Sequence, residues 1–260
     1  VVASLGDTES SRAARFTQGG DRVNLLGEGF AWILDLAHYG GLNGIDVRLL
    51  QHLAISGLVL LIAAVIAIPV GYLVGHTGRG RALAVGLSGG VRALPTLGLI
   101  AILALSIGIG LEAPVIALVV LAIPSILAGA YSGFEAVERG TIDAARAVGM
   151  TEWQIVRKVE LPLGLPLLIG GLRSASLQVI ATATLADYIG GGGLGHFIFL
   201  GLKTNKYDEM LAGSILVVVL ALVSEAVFSI IQRLVVPAGV TAGRPKDVRV
   251  RSSRSRAALG

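Results

Sequence analysis

Four histidines, His38, His52, His76 and His196, are suited to metal or proton chemistry, but none pairs with another at a metal-ligand spacing. Cysteine is absent, which excludes disulfides, thiolate chemistry and cysteine-ligated zinc or iron–sulfur sites. The run Gly190-Gly191-Gly192-Gly193 follows Asp187 and Tyr188 but lacks the GxxxxGK[ST] spacing that cradles nucleotide phosphates. No hydrolytic triad emerges. What remains is charge in apolar surroundings. Arg92, with Pro95 and Thr96 just after it, Arg173 and Glu225 all lie in otherwise apolar stretches. Charge in hydrocarbon is expensive, so these side chains should face a protein interior, a cavity or the membrane interface. Glu225 is placed to hydrogen-bond between helices.

The elements that must position these residues are long apolar helices. Of 260 residues, 54% are hydrophobic and 15% charged, with a mean hydropathy of +0.79. A soluble domain carries about 25% charge, and several runs here reach the roughly 20 residues a bilayer crossing needs. We expect spans over about His52–Gly75, Ala82–Ile109, Ala113–Ser132, Leu163–Leu185 and Tyr207–Val235. The second is interrupted by Arg92-Ala93-Leu94-Pro95-Thr96, and Pro69 should kink the first. Glycine is abundant, at 36 residues, as close packing of membrane helices requires.

Residues 1–23 read as a polar tail. Residues 24–39 read as an interfacial amphipathic helix anchored by Trp32, with an extra crossing as the alternative. Residues 1–50 thus precede a membrane domain over 51–236, and 237–260 form a basic tail. The sequence begins Val1-Val2-Ala3-Ser4 without a basic segment leading into an apolar core, so insertion is expected to rely on the spans. The net charge of +4 does not suggest nucleic acid, because the basic residues collect between or after apolar runs. By the positive-inside rule, the loop at 76–81, the loop at 133–162 and the tail are cytoplasmic.

The central loop is the most informative stretch. Thr141 could cap a helix with Asp143 in its first turn, favourable to the helix dipole. Ala144, Ala145 and Ala147 keep one surface small, and Gly149 interrupts. Trp153, Ile155, Val156 and Val159 supply an apolar face before Leu161-Pro162 stops the element. Two short helices joined at a glycine bend would make a compact knob outside the membrane.

Asp143-Ala144-Ala145, Gly149 and Val159-Glu160-Leu161-Pro162 resemble the coupling loop of ABC importer permeases, whose pattern is Glu-Ala-Ala, three residues, Gly, nine residues, Ile, one residue, Leu-Pro. Asp143 for Glu and Val159 for Ile are mild departures. Together with the segments RALPTLGLIAIL and ATATLADYIGGGGLG, the likeness extends over about residues 50–235 and is to permeases importing glycine betaine, choline, carnitine and proline.

The resemblance implies an all-α, MetI-like ABC permease fold with five core transmembrane helices in a bacterial plasma or inner membrane. It implies a non-catalytic subunit that binds no cofactor itself, its partner ATPase dimer using ATP and magnesium. It also implies a second permease, a paralogue or an identical copy, and an extracytoplasmic substrate-binding protein. The coupling role would fall on Asp143, Ala144, Ala145, Gly149, Val159, Leu161 and Pro162, within 141–162. Arg92, Pro95, Thr96, Arg173, Asp187, Tyr188 and Glu225 become pathway or gate candidates. Alternatives are a permease for methionine or another amino acid, an ion-driven transporter, or a membrane scaffold.

Overall fold

The computed structural model describes residues 21–78 and 80–235, and these contain helices and no strand. The expected tail at 237–260 and most of the one at 1–23 lie outside them. Helix α1 (Asp21–Leu34) leads through a short 3-10 turn (Leu36–His38) to α2 (Ile45–Thr77). Helices α3 (Arg81–Arg92) and α4 (Thr96–Ile107) follow, then α5 (Glu112–Glu135), α6 (Arg139–Ala147) and α7 (Glu152–Ile155). Helix α8 (Leu161–Thr182) runs on into a 3-10 stretch (Ala183–Ile189), and α9 (Gly195–Thr204) and α10 (Tyr207–Val235) complete the described residues.

Among the described residues, four helical runs are long and apolar enough to cross a bilayer: α2, α5, the continuous stretch Glu152–Ile189, and α10. The expected second span is instead a broken pair. Pro95 has no N–H to donate and forces its predecessor out of helical geometry, so α3 ends at Arg92 and α4 restarts at Thr96. Each piece has 12 residues, about 18 Å, short of the roughly 30 Å of hydrocarbon. Only the two together could cross.

The core is built around α5, which lies between α2 and α8 and also receives α3 and α4. Its buried residues Leu118, Val119, Ala122 and Ile126 form one cluster with Val59, Ala63 and Ala67 of α2 on one flank and Ala175 and Val179 of α8 on the other. Small residues let the backbones approach. A methyl group on Gly129 would come within 2.6 Å of Gly171 Cα, and one on Gly133 within 2.6 Å of the Gly164 carbonyl oxygen. Glycines four apart on α5 therefore face glycines seven apart on α8, a small-residue seam of the kind that drives helix association in lipid. Gly71 and Gly75 of α2 repeat the device against Ala130 and Phe134.

Helix α1 packs on α10, which also contacts α8 and α9. With 14 residues, about 21 Å, α1 is too short to cross upright. The loop after α2, helices α6 and α7, and the end of α10 share one end of the bundle. That end carries Arg81, Arg139, Arg146, Arg157, Lys158 and Arg233, and is the cytoplasmic one.

Three local expectations need correction. Helix α6 begins at Arg139, so Thr141 lies inside its first turn, donating its N–H to the Glu138 carbonyl rather than capping from outside. Leu161-Pro162 does not stop the helix. The absent Pro162 N–H and its ring are accommodated because Val156–Glu160 widens to π pitch, with the Leu161 N–H reaching the Val156 carbonyl, and the chain continues as α8. The first span starts at Ile45, which buries His52 inside it.

Candidate functional site

The loop between α5 and α8 folds as a knob at the cytoplasmic end. Helix α6 closes on Gly149, at φ +85°, where only glycine is unstrained. The Gly149 N–H reaches the Arg146 carbonyl, and the Met150 N–H reaches that of Ala145, the paired bonds of a Schellman turn. Thr151 then caps α7 reciprocally with Gln154 in a capping box. Arg146 clamps the two helices. Its Nε and Nη2 lie 2.7 and 3.1 Å from the two Glu152 carboxylate oxygens, and its Nη1 lies 3.2 Å from Asp143. Hydrogen bonding to Glu152, and after it to Asp143, pushes the guanidinium above its ordinary value.

The residues expected to couple divide by exposure. Asp143, Ala144 and Gly149 are open to solvent, Ala145 is buried, and Val159, Leu161 and Pro162 are half-buried where the knob joins α8. Trp153 does not share the inward apolar face. Ile155 and Val156 are buried, but Trp153 is 69% exposed, as is Val148 of the same knob at 79%. Residues two apart in an α-helix lie on roughly opposite faces, so Trp153 points away from the buried Ile155, and Trp153 and Val148 are two large apolar groups left exposed on the knob.

Within the membrane the structure assembles polar side chains that the sequence scatters. Arg92, at the break between α3 and α4, donates to Ser125 Oγ at 3.3 Å; Ser125 Oγ lies 3.2 Å from Gln178 Oε1, and Gln178 Nε2 donates to the Leu121 carbonyl at 3.1 Å. Pro95 and Thr96 sit at that break, one exposed and one half-buried. This chain of contacts crosses from α3 through α5 to α8. Separately, Arg173 forms a two-armed ion pair with Glu225, its Nε 2.7 Å from Oε2, and reaches Gln232 Oε1 at 3.3 Å. It joins α8 to α10. Sequence reading singled out Arg92, Arg173 and Glu225 but not Ser125 or Gln178, whose signal was a polar side chain inside an apolar helix.

At the opposite end, Asp187 lies 3.5 Å from His196, and Tyr188 stands edge-on to Phe199. The glycine run packs on the start of α2: Gly193 donates to Gln51 Oε1, and the Leu194 N–H donates to His52 Nδ1, while His52 Nε2 reaches the Ile180 carbonyl at 3.0 Å. His52 is fully buried, a structural joint that its position near a span end did not reveal. No cluster of three metal-binding side chains occurs among the described residues.

Residues 41–238 match the family described as the binding-protein-dependent transport system inner membrane component. Over 190 residues the chain is 32% identical to the glycine betaine/carnitine/choline transport system permease protein OpuCB of Bacillus subtilis (strain 168), covering 73% of this chain and 88% of that one. It is 34% identical over 198 residues to the carnitine transport permease protein OpuCB of Listeria monocytogenes, covering 76% and 91%. Among solved structures, an inward-facing MetNI methionine ABC transporter superposes with a TM-score of 0.64 at 25% identity, covering 74% and 95%.

Proposed function

We propose a cargo and partners for this chain, which belongs to the binding-protein-dependent transport system inner membrane component family. It is a membrane-spanning permease of an ABC importer, with a MetI-type helical fold. Its cargo is a small quaternary amine or zwitterionic osmoprotectant: glycine betaine, choline, carnitine or proline. The relatives named for betaine, choline and carnitine transport, at 30–34% identity, support that class. A methionine or other amino-acid cargo has the weaker support of the superposed methionine transporter, at 25% identity.

The observation that carries the mechanism is the knob of α6 and α7, rigid within itself and continuous with α8. Its exposed Val148 and Trp153 suit insertion into a groove of an ATP-hydrolysing partner, because burying two large apolar side chains gives each roughly 1.5–3 kcal/mol. Motion of the knob would be carried by one helical rod from Glu152 to Ile189 to the far side. ATP and magnesium are used by that partner, since the sequence holds no P-loop. A second permease, of the same or a paralogous sequence, completes the path, and an extracytoplasmic binding protein delivers the solute. The Arg92–Ser125–Gln178 chain and the Arg173–Glu225 pair are the groups that change partners as the path opens.

Uptake of labelled choline, betaine, carnitine and proline into vesicles holding the assembled transporter tests this. ATP-dependent uptake of at least one is expected. Uptake of methionine alone would overturn the cargo assignment, and unaltered ATPase association after deletion of 143–162 would overturn the coupling role.

A further inference from the structure

Near the middle of the apolar spans lie two arginines, Arg92 and Arg173, and one acid, Glu225, among the described residues. Glu225 is taken by Arg173, whose Nε donates to it at 2.7 Å. Arg92 is left without a carboxylate. Among the described residues its partner is the neutral Ser125 hydroxyl, 3.3 Å from Nη2. One positive charge within the bundle is therefore unbalanced.

Its depth follows from Ser125, which lies ten positions from the cytoplasmic end of α5 at Glu135 and thirteen from the other end at Glu112, about 15 and 20 Å. Arg92 thus sits near the bilayer midplane, where an arginine must face protein or a water-filled path rather than lipid. On this chain it is exposed, whereas Ser125 is buried. Ser125 in turn meets Gln178, whose amide donates to the Leu121 carbonyl, so the guanidinium is anchored on its inner side. The other N–H groups of its fork remain for a carboxylate, which they match in two-armed geometry. Helix α4 starts beside it at Thr96 with no side-chain cap and no acid in its first turn, and that helix start adds partial positive charge. A second copy of this chain has no spare acid at this depth, because its Glu225 holds its own Arg173.

We propose that Arg92 receives the carboxylate of the solute midway through the membrane, so that the permease itself favours zwitterions over a purely cationic amine. The inference rests on the import function proposed above and narrows its cargo. Glycine betaine, carnitine and proline carry a carboxylate, and choline does not. The carboxylate takes the face of the guanidinium turned away from Ser125, and the cationic end of the solute stays on the far side. A lone cation at that depth is repelled, since like charges out of water interact strongly.

The test uses the complete transporter without its binding protein, in nanodiscs, so that delivery adds no selectivity. Saturable binding of labelled glycine betaine is expected, displaced by proline and carnitine but not by an equal concentration of choline. Arg92→Gln should weaken it about tenfold, and Arg92→Lys, which keeps the charge, should recover part of the loss. Equal displacement by choline, or wild-type affinity in Arg92→Gln, overturns the proposal. So does a lack of saturable binding in a transporter that imports glycine betaine. Should Arg92→Gln lose the second permease, choline competition on the wild type decides, and equal displacement assigns the missing acid to that other chain. Uptake with the binding protein present separates this reading from the cargo class. Import of choline and of no carboxylate-bearing solute sinks the role of Arg92 alone. Import of methionine alone, slowed in Arg92→Gln, sinks the cargo class and leaves Arg92 its role.

Discussion

His76 Nδ1 lies 3.0 Å from one oxygen of Glu160 and 3.1 Å from the other, tying the cytoplasmic end of α2 to the π-pitched segment that leads into α8. Glu160 is 1% exposed. A buried carboxylate needs a partner, and this one sits where the proposed coupling loop meets the bundle. The contact makes the loop answer to two spans rather than one.

His76→Ala should therefore destabilise the protein by about 3 kcal/mol, because it strands a buried acid. The double variant His76→Ala/Glu160→Gln should recover part of that loss. Thermal unfolding followed by size-exclusion chromatography reads both, and equal stability of His76→Ala and wild type would contradict the contact.

Gly133→Ala places a methyl group 2.6 Å from the Gly164 carbonyl oxygen. Helices α5 and α8 must separate, at about 1–3 kcal/mol. Gly57→Ala is the matched control, since nothing lies within 4 Å of its added methyl. A neutral or slightly stabilised control is expected, and a control as damaged as Gly133→Ala would show that glycine loss itself, not the seam, is responsible.

The knob separates stability from coupling. The Arg146 ion pairs are exposed, so Arg146→Ala should leave the thermal unfolding midpoint close to that of the wild type. Because it frees α7 from α6, solute imported per ATP hydrolysed should fall by more than about half. Gly149→Val adds strain of about 1–2 kcal/mol at a positive φ and should weaken retention of the ATPase on an affinity column. Unchanged transport stoichiometry in Arg146→Ala would rule out the clamp's role.

For Arg173 and Glu225, a double-mutant cycle with Arg173→Met and Glu225→Leu should give a coupling energy of at least about 1 kcal/mol. Each single change strands a charge among apolar helices, while the double change removes both. Additive losses would mean that the pair does not hold α8 to α10.

Much of this architecture was legible because it depends on near neighbours. The lengths of the apolar runs, the break at Pro95 and the glycine bend at Gly149 each follow from residues within a turn or two. The limits of local reading show at Pro162, where a helix stop is expected yet the ladder opens to π pitch and continues. They show again at Trp153, which lies two positions from Ile155 on the opposite face of one α-helix, so that burial of Ile155 against the bundle leaves Trp153 exposed.

The sequence by itself determined a multi-span helical permease, the positions of its charged interruptions and the polarity of its two ends. Tertiary structure alone decided which distant polar groups meet. Arg173 and Glu225 are 52 positions apart, His76 and Glu160 84, and His52 and Leu194 142. Each meeting depends on how far a helix is rotated about its axis and how closely it approaches the next. The glycine seam sets the closeness and rotation of α5 and α8 in the same way, because backbones that lack side chains there can come within contact distance.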